Sequence, residues 1–155
     1  MGNRLEGKKA LVTGASRGIG RAIAEKFSEE KAIVGINYNS SDEKAQHVLK
    51  CVERNSEGML LKGDVSQKEE CRQIISNFVK EHRGIDILIN NAGIYKRKNI
   101  EEATIEEFDE TMGVNVRGPF MLCKFSLAHL KKSDSGRIIN MSSQLAFSGS
   151  DHGTS

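Results

Sequence analysis

The sequence predicts an α/β domain built on a doubly wound parallel β-sheet. Three observations carry that prediction: five apolar runs of strand length, amphipathic segments of helical spacing between them, and a glycine-rich turn where the first run meets the first helix. At 155 residues the chain is long enough for one substantial core, so residues 1–155 read as a single domain.

The five strand candidates are Lys9–Thr13, Ala32–Tyr38, Gly58–Lys62, Ile85–Asn90 and Arg137–Met141. Each is short and apolar, and four of the five carry β-branched residues. Between the first two, Ile19, Ile23 and Phe27 recur at helical spacing. Ala45, Val48, Leu49 and Val52 do so before the third, and Cys71, Ile74, Ile75, Phe78 and Val79 before the fourth. Two more helices fit Ile105–Met112 and Val116–Leu130. Ser66 three residues before Glu69, and Thr104 three before Glu107, have the spacing of capping boxes and mark two helix starts. Strands that are apolar on both faces and separated by helices require right-handed crossovers and a sheet covered on both sides. That is a Rossmann-type arrangement.

Composition excludes several function classes. Hydrophobic residues make up 37% and charged residues 28%, with one proline, Pro119, and fifteen glycines, the balance of a compact domain. A formal charge of +2, with acids and bases interleaved, does not imply nucleic acid as a partner. No apolar run approaches the ~20 residues that span a bilayer, and the polar N-terminus is unlike a secretory leader, so the expected location is the cytoplasm. Cys51, Cys71 and Cys123 are odd in number and widely spaced, which fits reduced, partly buried thiols. His47, His82, His129 and His152 have no ligand-like spacing, so each is expected at a surface or helix end and no metal site is expected.

The turn Thr13-Gly14-Ala15-Ser16-Arg17-Gly18-Ile19-Gly20 carries the chemistry. A dinucleotide pyrophosphate needs backbone N–H donors and the positive end of a helix, and glycines let it approach without a Cβ in the way. The spacing Gly-x-x-x-Gly-x-Gly departs from the Gly-x-Gly-x-x-Gly fingerprint. A turn that only packs helix against strand is the plainer reading. Gly14-Ala15-Ser16-Arg17-Gly18 also satisfies Gly-x-Ser-x-Gly, the nucleophile elbow of serine hydrolases, but it follows the first strand and has no oxyanion motif ahead of it. A P-loop is excluded, because neither Lys-Ser nor Lys-Thr follows the glycines.

At the end of the second strand, where an NAD site offers an acid to the adenosine ribose, the chain reads Ile36-Asn37-Tyr38-Asn39-Ser40-Ser41. There a carboxylate would repel a 2′-phosphate, whereas Arg17 with Asn37, Asn39 and Ser40 can hydrogen-bond one. NADP(H) is therefore expected over NAD(H). Asp42, the nearest acid, is expected to cap the next helix.

The threonine-led glycine turn, with Asn90-Asn91-Ala92-Gly93, Val114-Asn115-Val116-Arg117-Gly118 and Arg137-Ile138-Ile139-Asn140-Met141-Ser142-Ser143, resembles the short-chain dehydrogenase/reductase family from about Lys8 onward. The glycine turn and the overall likeness are similar to those of 3-oxoacyl-carrier-protein reductases and glucose dehydrogenases. The resemblance implies an oxidoreductase moving hydride between NADP(H) and a carbonyl or secondary alcohol, with Gly14, Ser16, Arg17, Gly18, Ile19 and Gly20 at the cofactor.

It implies that Asp64 and Val65 hold the adenine, that Asn91, Ala92, Gly93 and Val114 line the ribose side, and that Asn115 bends its helix and holds a water in a proton relay. Ser143 becomes the catalytic serine that polarises the substrate carbonyl. Read singly, Asp64 is equally a loop cap, Asn115 a structural asparagine and Ser143 a strand-end serine.

The family's proton donor is a tyrosine followed four residues later by a lysine that lowers its pKa. Neither Tyr38 nor Tyr95 has lysine at the fourth position, and the family spacing from Ser143 runs past Ser155. The resemblance thus covers a portion truncated before the tyrosine, inactive alone, with its fifth strand left as an open apolar edge and the Val116–Leu130 helix lacking its partner. A small-molecule or carrier-bound carbonyl substrate and a homo-oligomer, dimer or tetramer, are expected for the full protein. A fragment that binds a dinucleotide and catalyses nothing is the alternative, with a hydrolase using Ser16 more remote. Lys96-Arg97-Lys98 reads as a solvated loop, or as an attractor for an acidic substrate.

Overall fold

The computed structural model describes residues 2–149. Five parallel strands, β1 (Lys9–Val12), β2 (Ile33–Tyr38), β3 (Gly58–Lys62), β4 (Ile87–Asn90) and β5 (Arg137–Asn140), form one sheet in the order β3-β2-β1-β4-β5. All five expected strands are present, each within a residue or two of its predicted bounds. The helices are α1 (Gly18–Glu29), α2 (Asp42–Val52), α3 (Lys68–His82), α4 (Ile105–Met112), α5 (Gly118–Leu130) and the short α6 (Leu145–Ser148).

Strand alternation sorts the core into two layers. Leu11 of β1 and Leu88 of β4 sit side by side in register and point into a cluster with Ile74 and Phe78 of α3 and Leu122 of α5. Ala10, Val12, Val34, Ile36 and Ile89 point the other way, against Ala24 of α1 and Val48 of α2. Gly35 makes room for Phe78, because a Cβ there would stand 2.9 Å from two of its ring carbons. Burying that ring contributes about 2–3 kcal/mol.

β1 lies at the point where the winding reverses, with β2 and β3 on one side and β4 and β5 on the other. A crevice opens outside the carboxyl ends of the strands at such a switch point.

Several local expectations are corrected. Ile19 is not a core residue of α1; it is 63% exposed, one turn too early to reach the sheet. Ser66 does not cap α3, whose N-cap is Gln67. The reason is Asp64: its Oδ1 accepts from Ser66 N at 2.8 Å, and its own N–H donates to Glu70 Oε2 at 2.7 Å, so Glu70, not Glu69, closes this turn. The Thr104–Glu107 capping box on α4 forms as expected.

Asp42 is not the cap of α2 but its first residue, drawn away by Lys62 and Tyr38. The Val116–Leu130 helix begins at Gly118, and α4 runs into it through a wider π-helical turn, Gly113–Arg117. His82, at the end of α3, is buried with its ring 4.7 Å from that of Phe78. Cys71 is buried, and Cys51 and Cys123 are half-buried free thiols. No helix among the described residues is long and apolar enough to cross a membrane.

β5 is an edge strand with Ile138 and Ile139 partly exposed, and Val116, Phe120 and Leu127 stand exposed along the π turn and α5.

Candidate functional site

Thr13 ties the carboxyl ends of β1 and β4 together. Its buried hydroxyl accepts from Asn91 N at 2.9 Å and Ala92 N at 3.0 Å and donates to Ile89 O at 3.2 Å. Asn91 returns the contact, donating from Nδ2 to Thr13 O at 2.8 Å. One hydroxyl thereby satisfies two backbone donors at the sheet's switch point, where an unmet N–H would cost about 1–3 kcal/mol.

Gly14 (φ +61°) and Gly18 (φ +56°) adopt left-handed backbone, which admits glycine most cheaply. A Cβ on Gly14 would lie 2.9 Å from the Ala92 Cα, so Gly14 lets the turn lie against the Asn91–Gly93 segment. Gly20 serves packing: it is buried, and a Cβ there would come within 2.6 Å of Gly14 O. Gly18 faces open space.

No side chain caps the start of α1, and its first turn holds no acid. Its leading N–H groups therefore keep their positive end for a ligand.

These elements wall a cleft of about 480 Å³ that brings together Gly14, Ser16, Arg17, Gly18, Ile19, Asn37, Asn39, Ser40, Asp64, Val65, Asn91, Ala92, Gly93 and Val114. Gly20 alone of the expected cofactor residues lies behind its wall.

Asn37 lines the cleft but is no free donor. Its Nδ2 donates to Leu61 O and Gly63 O, both at 3.0 Å, and its Oδ1 accepts from Gly14 N at 3.3 Å. Its expected direct contact with a 2′-phosphate is corrected accordingly: the amide shapes the glycine turn and leaves Asn39 and Ser40 to face the cleft. Asp64 spends one carboxylate oxygen on Ser66 N, so the loop-cap reading holds for that atom.

Asp42, the acid nearest the end of β2, is occupied as well. Lys62 Nζ lies 2.9 Å from its Oδ2, and the Tyr38 hydroxyl donates to Oδ1 at 3.1 Å. The Lys62 ammonium, with help from Tyr38, holds the Asp42 carboxyl below the usual carboxylate range. Arg17, by contrast, has no ion-pair partner among the described residues.

A second cleft, about 770 Å³, shares Ile19, Asn91, Ala92 and Gly93 with the first and adds Asn115, Phe120, Cys123 and Ser143. Asn115 stands in the π turn and clamps Ile94, donating from Nδ2 to Ile94 O at 2.8 Å and accepting at Oδ1 from Ile94 N at 2.9 Å. The wider turn is what presents its side chain to that loop. Ser143 lies past the end of β5, its Oγ accepting weakly from Leu145 N at 3.2 Å.

The loop beyond Gly93 is less basic than its sequence reads, because Lys96 pairs with Glu110 and Lys98 with Glu107, both at 2.8 Å. Among the described residues no cluster of three or more His, Cys, Asp or Glu could hold a metal.

The donor set fits a dinucleotide. Uncapped helix N–H groups and an open glycine suit a pyrophosphate, and small residues at Ala92 and Gly93 leave room for a ribose beside it. The family model described as short chain dehydrogenase matches residues 8–155. The chain belongs to the short-chain dehydrogenase family.

As a family member it is 41% identical, over 93% of its length, to an uncharacterized oxidoreductase of Thermotoga maritima. It superposes on a Burkholderia cenocepacia short-chain dehydrogenase solved with NADP (TM-score 0.92, 36% identity, 97% of this chain and 61% of that one). It fits equally an NADH-dependent reductase, A1-R′, solved with NAD (TM-score 0.92, 32% identity, 99% and 66%).

The chain spans 57% of the length of the Thermotoga relative. Ser16 lines the cleft without a hydrogen-bonded histidine among the described residues, so the geometry lends the nucleophile-elbow alternative no support.

Proposed function

We propose that the chain is the cofactor-binding part, residues 1–155, of a reductase that takes NADP(H) in preference to NAD(H) and interconverts a carbonyl and a secondary alcohol. The observation that carries the reading is the uncapped, glycine-lined start of α1 opening into a cleft whose free cation is Arg17, while Asp42, the acid nearest the end of β2, is already paired with Lys62. A 2′-phosphate gains from Arg17 and meets no bare carboxylate at the end of β2. The relatives solved with NADP and with NAD support a nicotinamide dinucleotide in this cleft.

When bound, the nicotinamide supplies or accepts the hydride. This chain's residues do the rest of the positioning. Backbone N–H groups of α1 hold the pyrophosphate, Asp64 and Val65 flank the adenine, and Asn91, Ala92, Gly93 and Val114 seat the ribose and nicotinamide between the two clefts. The Ser143 hydroxyl donates to the substrate carbonyl oxygen, polarising it as the carbon is reduced. Asn115 holds the Ile94 segment that forms the other wall and keeps a water in the proton path.

Tyr38 is unsuited to give the proton, because its hydroxyl is spent on Asp42, and neither tyrosine has lysine at the fourth position. Neither Tyr38 nor Tyr95 is therefore assigned the proton-donating role. A small or carrier-bound carbonyl is the substrate, and the exposed apolar residues of α5 serve a cytoplasmic homo-oligomer.

Arg17→Ala tests the cofactor reading. It is expected to weaken NADPH binding about tenfold or more, by the loss of a charge-assisted contact, and to change NADH binding little. Equal weakening of both would refute the preference.

A further inference from the structure

A notch of about 370 Å³ lies beside the dinucleotide cleft and shares Ser16, Arg17 and Gly18 with it. Its far wall is the first two turns of α2, with Glu43, Lys44 and His47, and Arg21 of α1 completes it. Arg21 is committed to Glu25, 2.8 Å away on its own helix, and His47 stands 3.8 Å from the Cys51 sulfur. Lys44 has no hydrogen-bond or ion-pair partner among the described residues, and neither does the Arg17 guanidinium. Two unspent cations thus face one notch from opposite walls, at the point where the cleft runs from the glycine turn to Ser40 and Ser41.

The one carboxylate on the rim, Glu43, leaves a positive balance, and Asp42 is removed from the balance by Lys62. A surface lysine normally finds an acid three or four residues away on its helix. Here positions 40, 41, 47 and 48 are Ser40, Ser41, His47 and Val48, so Lys44 has no such acid.

We infer that Lys44 is a second determinant of cofactor choice, closing on the 2′-phosphate of the adenosine ribose from the α2 side while Arg17 holds it from the glycine turn. The inference rests on the NADP(H) reading and adds a residue that neither the glycine turn nor the end of β2 discloses. An ammonium opposite a guanidinium suits a dianionic phosphate, because the fork fixes its orientation and the lysine adds a mobile point charge. Lys44 also stands in the first turn of α2, where the helix dipole favours the same anion.

The test is calorimetric titration of the purified protein and its Lys44→Gln, Lys44→Arg and Arg17→Ala variants. The probes are NADPH, NADH, adenosine 2′,5′-bisphosphate and 5′-AMP, the last two isolating the 2′-phosphate from the nicotinamide. Lys44→Gln should weaken NADPH and the bisphosphate roughly five- to tenfold, leave NADH and AMP within about twofold, and reduce the salt dependence of NADPH binding. Lys44→Arg should restore most of the loss.

If Arg17→Ala weakens NADPH selectively and Lys44→Gln does not, Lys44 is excluded while the cofactor reading stands. If the unmodified protein binds NADPH no better than NADH, both fall together. Lys44 lies on an exposed helix face, so its substitution leaves the core untouched, and an unchanged thermal transition checks this.

Discussion

Gly18→Ala separates the cost of backbone strain from the cost of filling the ligand's space. Gly18 sits at φ +56° with nothing within 4 Å of the Cβ that alanine would add. The left-handed conformation costs an alanine about 1–2 kcal/mol. Reduced freedom of the unfolded chain returns about 0.4–1 kcal/mol. The net loss is about 1 kcal/mol, a fall in Tm of about 2–4 °C for a chain of this size.

Gly14→Ala has the same left-handed φ and in addition meets the Ala92 Cα at 2.9 Å. Overpacking against backbone adds about 1–3 kcal/mol, so that variant falls further in Tm. Gly18 lines the cleft, so if its added methyl takes the pyrophosphate's space NADPH affinity should drop tenfold or more although the fold survives. Circular dichroism melts and NADPH titration of both variants provide the comparison. A Gly18→Ala protein that melts slightly lower yet binds NADPH like the original would refute the assignment of that space to the pyrophosphate.

Three further outcomes follow from the same contacts. Thr13→Val removes the acceptor of two backbone N–H groups and should destabilise the protein by about 2–4 kcal/mol, read from urea midpoints, whereas Thr13→Ser should cost far less. The lowered carboxyl of Asp42, held by Lys62 and Tyr38, lends stability that is complete above the usual carboxylate range and lost as pH falls through its lowered value; Lys62→Met should therefore lower the urea midpoint at neutral pH and converge with the original protein in strong acid. Burial raises the Cys71 thiol to about 11, so it should resist thiol reagents at pH 8 until the protein unfolds, while half-buried Cys51 and Cys123 react in the native state.

The parallel sheet and its order of elements could be read from the sequence because each strand is buried on both faces and each helix shows its stripe. Val34 to Tyr38 are buried without alternation, and of the residues expected to face inward on α2, Ala45, Val48 and Val52 are buried while Leu49 is partly buried against the same cluster. The glycine turn was legible for a similar reason: its local backbone demands glycine at Gly14 and Gly18. Contacts over long separations were hidden. Nothing near Asn37 in sequence shows that its amide is consumed by Leu61 and Gly63, twenty-four and twenty-six residues away.

The same holds for Lys62, twenty residues from the Asp42 it neutralises, and for Thr13, whose hydroxyl reaches Asn91 and Ala92. The threonine's place before the first glycine was the only available signal. At Ser66 the spacing to Glu69 was a true pattern overridden by a stronger local contact, the turn made by Asp64. The helix predicted from Val116 missed the π turn, since apolar periodicity tracks the face of a helix and not its pitch.

Amide hydrogen exchange with and without NADP⁺ tests most directly the claim that backbone N–H groups at the start of α1 hold the cofactor's phosphates. Slowed exchange centred on residues 14–20, with smaller effects at 91–93 and little change at α3, is the predicted pattern. Tight binding with residues 14–20 unchanged, and protection appearing only elsewhere, would contradict it.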